Sequence, residues 1–383
     1  MKQILIINTG SSSIKFKLFD VSENNELEVT KSGKIDRIGS PHGPENHKAA
    51  LSMLFHGLEI GPTFLFKIPN LIAIGHRVVH GGDEYNKTTL LTKEISKDLE
   101  KYNLLAPLHN PAILDVIDAV VAASNKKEHR TISNYAVFDT AFFRDLPDVA
   151  KIYPLPYNFY SEKKVRKYGF HGISHQYAYE KVQEKYPEAK KIITVHLGAG
   201  SSMTAILDGK PIDTSMGFTP LEGLMMATRP GDFDAGIIHY LISQKIFKHE
   251  DVDYILNNES GMLGISGTRS DVKDILYLAG YPVEDPVYRF KAFHNAELSP
   301  ENRRRAQLAL AMYVYRIKKY IGSYQAILGG VDVLVFTGAV GAGSQFIRNQ
   351  VCNGLEHILS ATKIEVVVSD EETQIAKEII KLL

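Results

Sequence analysis

Ile4-Leu5-Ile6-Ile7-Asn8-Thr9-Gly10-Ser11-Ser12-Ser13-Ile14-Lys15-Phe16-Lys17-Leu18-Phe19-Asp20 reads as a hairpin. The continuous apolar strand Ile4–Asn8 enters the small-residue turn Thr9–Ser13, and Ile14–Asp20 returns with the alternation of a half-buried strand. The same design recurs 188 residues later: strand Ile192–His196, turn Leu197-Gly198-Ala199-Gly200-Ser201, return strand Ser202–Leu207. Gly10 aligns with Gly198 and Ser13 with Ser201, which points to an internal duplication on the scale of a domain.

Working outward, Leu71–Val79 and Ala136–Thr140 read as strands, and Lys93–Tyr102 and Pro111–Ala123 as helices. Pro147, Pro154 and Pro156 break the chain over 145–157, the expected boundary between the halves. In the second half Pro220–Ala227 is expected to begin a helix, and Arg303–Leu328 reads as a long amphipathic one. Val331–Thr337 reads as a buried strand entering a Gly-rich turn, Gly338–Gly343. Strand Lys363–Val368 and helix Glu371–Leu383 close the sequence. Hairpins and buried strands alternating with helices specify an α/β protein with mixed sheets.

Composition narrows the function classes. The 383 residues correspond to two or three domains at about 150 residues each. Lys plus Arg and Asp plus Glu are 44 each, so a basic nucleic-acid footprint is absent. A single cysteine, Cys352, excludes an internal disulfide framework and a multi-cysteine zinc site and fits a reducing compartment. No apolar run approaches the roughly 18 residues of a membrane span, and Ile4–Ile7 is too short for a signal-peptide core. A cytoplasmic protein is expected.

Three turns follow apolar strands and lack bulky side chains: Thr9–Ser13, Gly198–Ser201 and Gly338–Ser344. Small residues let backbone N–H groups approach an anion, and Lys15 would add a charge beside the first turn. None matches the P-loop pattern, so each alone is also an ordinary tight turn. His76-Arg77-Val78-Val79-His80-Gly81-Gly82 places an Arg in an apolar strand, where it must meet either an anion or an internal carboxylate. Thr228-Arg229-Pro230-Gly231-Asp232 carries a second loop Arg with the same two readings. Asp139 ends a buried strand, a common place for catalytic or metal-binding carboxylates in α/β folds, and is alternatively a helix N-cap. His171 and His175 stand at i, i+4, but Gly172 disfavours a helix there, so one functional or structural His is expected over a zinc pair.

Ile7–Phe16, Gly75–Gly82, Ala106-Pro107-Leu108-His109-Asn110-Pro111, Phe138-Asp139-Thr140-Ala141-Phe142, Tyr168-Gly169-Phe170-His171-Gly172, Asp213-Thr214-Ser215-Met216-Gly217, Thr219–Met225 and Gly264-Ile265-Ser266-Gly267 together resemble the acetate kinase (acetokinase) family of short-chain carboxylate kinases. The resemblance runs in order from residue 2 to 383. It implies a duplicated ribonuclease-H-like fold of the sugar kinase/actin superfamily, two domains with an interdomain active-site cleft. The implied domains are 1–142 plus 373–383, and 143–372 with the nucleotide site. It implies a homodimer that moves the ATP γ-phosphoryl to acetate, reversibly, giving acetyl phosphate and ADP with Mg²⁺, for which Mn²⁺ can substitute.

The resemblance also assigns roles. Arg77 and Arg229 resemble the guanidinium pair that holds the carboxylate and the transferring phosphoryl, His171 the transition-state donor, and Asp139 the essential carboxylate near the metal. Asn8 and Glu371 match metal-side groups. Val79, Leu108, Phe170 and Pro220 match the pocket for the substrate methyl. On the donor side the matching positions are Lys15, His196, Leu197, Gly198, Ala199, Gly200, Asp271, Val272, Lys273, Ala339, Val340, Gly341, Ala342 and Gly343. Departures cluster there: Ala199 replaces the family's usual Asn, Ala339–Gly343 replaces Gly-Ile-Gly-Glu-Asn, and Lys273 replaces Arg. The competing expectations are a propionate or other short-chain acyl kinase, a pyrophosphate-using member, and a non-catalytic nucleotide-binding module. The last would not be expected to keep Arg77, Asp139, His171 and Arg229 together.

Overall fold

The computed structural model describes residues 1–10, 12–57, 68, 70–106, 109–124, 132–284 and 298–383. These divide into two compact units. The first comprises Met1–Arg144, His171–Tyr177 and Asp370–Leu383, and the second Asp145–Phe170 and Ala178–Ser369. The passage His171–Tyr177 therefore groups with the first unit, whereas the sequence reading had it in the second domain. The C-terminal return to the first unit begins at Asp370.

In the first unit the strands are β1 (Lys2–Thr9), β2 (Ser13–Val21), β3 (Leu27–Asp36), β4 (Leu71–Val78), β5 (Thr89–Leu90) and β6 (Ser133–Phe138). Their order is β3-β2-β1-β4-β6-β5. The hairpin β1–β2 is antiparallel with Asn8 opposite Lys15, while β1, β4 and β6 run parallel. The second unit holds β7 (Lys191–Leu197), β8 (Ser201–Leu207), β9 (Lys210–Thr214), β10 (Val333–Thr337) and β11 (Lys363–Val366). Read from the β9 edge, their order, β9-β8-β7-β10-β11, repeats the first five strands of the other sheet, again with an antiparallel trio followed by two parallel neighbours. The repeated hairpin is thus the visible part of a duplicated α/β unit.

The apolar run of β1 is continuous because both of its faces are covered. Leu5 and Ile7 enter a core with Leu51, Leu54 and Val120, from helices His47–Gly57 and Asn110–Ser124. Ile4 and Ile6, on the opposite face, meet Ile375, Ala376 and Ile379 of the C-terminal helix Glu371–Ile380. Successive strand side chains point to opposite faces, and each fully buried Ile or Leu contributes about 1.5–3 kcal/mol. This packing fixes the start of the C-terminal helix beside the end of β1. The second core is built on the 29-residue helix Pro300–Leu328, capped by Ser299, whose side chain accepts from the Asn302 N–H. Among the described residues, no helix is long and apolar enough to cross a membrane.

Three local expectations are corrected. Pro220–Ala227 forms turns and bends rather than a helix. Gly338–Gly343 is a short helix rather than an open turn. Gly172 begins the helix Gly172–Lys185 instead of preventing it. A Cβ at 172 would collide with the Asp139 carbonyl oxygen, so close approach, not helix propensity, decides that residue.

Candidate active site

The first unit gathers its candidate site residues at the carboxyl ends of β1, β4 and β6, the side where open α/β sheets bind ligands. Asn8 stands near the end of β1, Arg77 near the end of β4, and Asp139 follows β6 as the first residue of a 3₁₀ turn. Asp139 is not a helix cap, since the turn's cap residue is Phe138 and makes no side-chain bond. It is 1% exposed and takes two bonds from Arg77 on its Oδ2, from Nη2 at 2.6 Å and Nε at 3.1 Å. The Ile173 backbone also bonds to this carboxylate, while its other oxygen, Oδ1, is buried with no hydrogen-bond partner among the described residues.

The network extends to the C-terminal helix. Arg77 Nη1 lies 3.4 Å from Glu371 Oε2 and donates at 3.5 Å to Asn8 Oδ1. Asn8 Nδ2 donates to Glu371 Oε2 at 2.8 Å and to Glu372 Oε1 at 2.7 Å. Burial alone would pull the Arg77 guanidinium down, but the charges of Asp139 and Glu371 outweigh it and raise its pKa. Burial raises the Asp139 carboxyl, and Arg77 opposes that shift. The strand reading of Arg77 left anion and carboxylate open; in this structure it holds carboxylates.

Glu372 and the ion pair of Lys17 with Asp370 (2.6 Å) were not foreseen. Strand alternation would have found Lys17, which shares a face of β2 with Lys15. Lys15 is exposed opposite Asn8.

Beyond β4, Val79 is 4% exposed, and the next residue is locked in place. His80 donates its N–H to Asn110 Oδ1 at 3.2 Å, and Asn110 Nδ2 donates back to the His80 carbonyl at 3.1 Å. Leu108 lies outside the described residues. His171 has φ +57°, the left-handed region that costs a non-glycine residue strain, and such outliers cluster at functional sites. The ring of His175 sits edge-on to Phe143 at 6.1 Å, a packing position.

The second unit holds the other residues. Arg229 is half-buried and donates Nη1 to the Pro220 carbonyl at 2.8 Å. Among the described residues no carboxylate pairs with it, and burial lowers its pKa to about 10. Its loop is tied to the second small-residue turn by a bond from the Ala227 N–H to the Ala199 carbonyl at 3.1 Å. That turn, with Gly198 N–H donating to Gly200 at 3.0 Å, links β7 to β8 just after His196 and Leu197. Phe170 is fully buried.

The helix holding Ala339, Val340, Gly341, Ala342 and Gly343 leaves β10, the parallel neighbour of β7. Arg348 Nη1 donates to the Gly341 and Ala342 carbonyls, both at 2.8 Å, and holds its last turn. Asp271 Oδ1 accepts from the Lys273 N–H at 2.8 Å and so caps the helix Val272–Ala279. Val272 points into the core, where Val340 also packs.

The model of the acetokinase family matches residues 3–285 and 289–379. The acetate kinase of Phocaeicola vulgatus is 39% identical over 423 aligned residues, covering 100% of this chain and 99% of that one. The acetate kinase of Thermoanaerobacterium thermosaccharolyticum is 41% identical over 373, covering 93% and 87%. Among solved structures, Porphyromonas gingivalis acetate kinase aligns over 100% of both chains with TM-score 0.81 and 33% identity. A propionate kinase from Francisella tularensis aligns over 99% of both with TM-score 0.80 and 30% identity. With its duplicated sheets, its Arg77–Asp139–Glu371 network and these matches along its length, the chain belongs to the acetokinase family.

Proposed function

We propose that this chain is an acetate kinase, transferring the γ-phosphoryl of ATP to acetate, reversibly, to give acetyl phosphate and ADP. The observation that carries the reading is the pair of differently held arginines, Arg77 locked by Asp139 and Arg229 without a carboxylate partner among the described residues. Phosphoryl transfer depends on positioning and charge neutralisation, which two guanidinium groups supply. Acetate is ionised at pH 7, so no base is needed. One carboxylate oxygen bonds to phosphorus as the bond to the bridging oxygen of ADP breaks, in line, with no proton transferred.

In this reading Arg229 binds the incoming negative charge and Arg77 orients the carboxylate. His171 donates to a phosphoryl oxygen, and Lys15 and the turn Gly198–Ser201 bind the phosphates. The family resemblance assigns Val79, Leu108, Phe170 and Pro220 to the pocket for the methyl group. The residues of the first unit fit Mg²⁺. Asp139 Oδ1 is a buried oxygen without a partner among the described residues, and Glu371 and Asn8 belong to the same network. No group of three His, Cys, Asp or Glu side chains among the described residues would hold a metal alone. Few protein ligands, completed by phosphate oxygens and water, suit Mg²⁺. When bound, the ion neutralises charge on the phosphate oxygens. The family resemblance also supports a cytoplasmic homodimer.

Propionate is the second reading, favoured by the likeness to a propionate kinase. One methylene is worth only about 1–3 kcal/mol in a pocket, so overlapping use of both acids is expected. The test is acyl phosphate formation by the purified chain from acetate, propionate and butyrate, with ATP, GTP or pyrophosphate. The highest kcat/KM is expected for acetate with MgATP. Absence of acyl phosphate from every pairing overturns the assignment.

A further inference from the structure

Phe170 and Pro220 hang from one peptide of the second unit. The Gly217 carbonyl accepts from the Tyr168 N–H at 2.9 Å and the Gly169 N–H at 3.3 Å, immediately before Phe170. The next N–H, that of Phe218, donates to the Tyr153 hydroxyl at 2.8 Å, two residues before Pro220. Tyr153 in turn donates to Glu222 Oε2, two residues after Pro220. One hydroxyl therefore grips both sides of the turn whose Pro220 carbonyl receives Arg229.

The grip is itself anchored. Lys167 Nζ lies 3.1 Å from Glu222 Oε1 and donates to the Thr214 carbonyl at 2.9 Å, with Asp213 at 3.8 Å. Lys167 is only 12% exposed, so this cluster is screened less than a surface ion pair. Gly217 is required beneath it, because a Cβ there would collide with Glu222 Oε2 and the Tyr153 hydroxyl. The link to Arg229 runs through the backbone, at the Pro220 carbonyl.

We propose that Tyr153, Glu222 and Lys167 are positioning residues that set the acid specificity of the site by fixing the turn Phe218–Glu222 and, through Gly217, the approach to Phe170. The inference rests on the acetate kinase reading, and deepens it. A rigid turn holds this wall of the pocket in one place and the Arg229 guanidinium at one angle. Loosening the turn admits the extra methylene of propionate and weakens the hold on acetate, while the phosphate turn keeps its own bonds.

The test compares Tyr153→Phe and Glu222→Gln with the parent enzyme in KM and kcat for acetate, propionate and MgATP, alongside thermal unfolding. Tyr153→Phe removes one hydroxyl. It is expected to shift the propionate-to-acetate ratio of kcat/KM about fivefold toward propionate, the low end for the two hydrogen bonds that this hydroxyl makes, with the KM for MgATP within about twofold. Glu222→Gln keeps an acceptor for Tyr153 and is expected to show a smaller shift in the same direction. If Tyr153→Phe fails to fold, Glu222→Gln carries the test. An unchanged acid ratio, or an equal fall for both acids and the nucleotide, overturns the proposal. A parent enzyme that forms no acyl phosphate overturns the acetate kinase reading instead, and is seen before any variant is made.

Discussion

Arg77 and Arg229 carry the same group into opposite environments. Arg77 enters the first unit with its charge matched by Asp139 and Glu371, and its guanidinium is held more firmly protonated than usual. Arg229 is anchored through a carbonyl, and burial lowers its pKa to about 10. A half-buried cation without a counterion is costly unless something else supplies the negative charge. The contrast assigns the two arginines different duties. Arg77 is part of the framework of the first unit, while Arg229, with no carboxylate partner among the described residues, has the character the proposed function asks of a group that meets an incoming anion.

The largest effects test this contrast directly. If both neutralise charge in the transition state, as the proposed function has it, replacing either arginine with alanine is expected to lower kcat by roughly 10³-fold. Stability separates them. Arg77→Ala leaves Asp139 buried without its cation and is expected to cost about 3 kcal/mol in urea unfolding. Arg229→Ala removes an uncompensated charge and is expected to leave stability unchanged or higher. Equal destabilisation by both variants would break the comparison. Lysine rescues neither fully, since it lacks the planar fork.

The second test uses pH. His76, beside Arg77 and buried, shares a bond between its Nε2 and Asn134 Oδ1 at 3.0 Å, and burial lowers its pKa from 6.5 to about 4. The unfolded chain therefore takes up this proton first as the pH falls. His76 contributes its stability above pH 6.5 and loses it progressively between 6.5 and 4, about 3 kcal/mol in all at 1.36 kcal/mol per unit. His76→Gln is expected to flatten the pH dependence of unfolding of the first unit across that window. An unchanged slope would show that the acid sensitivity arises elsewhere.

What the sequence disclosed follows the range of the interactions. The two hairpins were legible because strand alternation and small-residue turns are local signals. The pairing of β1 with β4 and of β7 with β10 is the parallel continuation such signals do not specify. Gly172 was misread because helix propensity is local, whereas its reason for being glycine is the Asp139 carbonyl. Pro220–Ala227 misled for the same reason. Glu222 bonds to Tyr153 rather than to its own backbone, and Gly223 has φ +103°. Asn8 meets Glu371 and Glu372 across more than 360 residues, so no spacing rule finds them; Glu371 was reached only through the family resemblance, and Glu372 was not reached.

The smallest expected effect concerns the nucleotide side of the second unit. Ala199, Ala342 and Gly343 offer no side-chain hydrogen-bonding group, and the helix Gly338–Gly343 is held from behind by Arg348. Each missing neutral hydrogen bond is worth about 0.5–1.5 kcal/mol, a factor of roughly 2 to 12 in binding. ATP is therefore expected to be used with only modest preference over GTP, because Arg229 and the phosphate turn do not depend on the base. Matched-Mg²⁺ values of kcat/KM for ATP, GTP and pyrophosphate measure this. A preference of several hundredfold for ATP would refute it, and activity with pyrophosphate alone would overturn the donor assignment. Gly343 sharpens the test, since a Cβ there meets nothing within 4 Å. Gly343→Asn restores the side chain usual in the family and is expected to raise the ATP-to-GTP ratio several-fold at unchanged acetate KM. If that variant leaves the ratio where it was, base choice is set outside this helix.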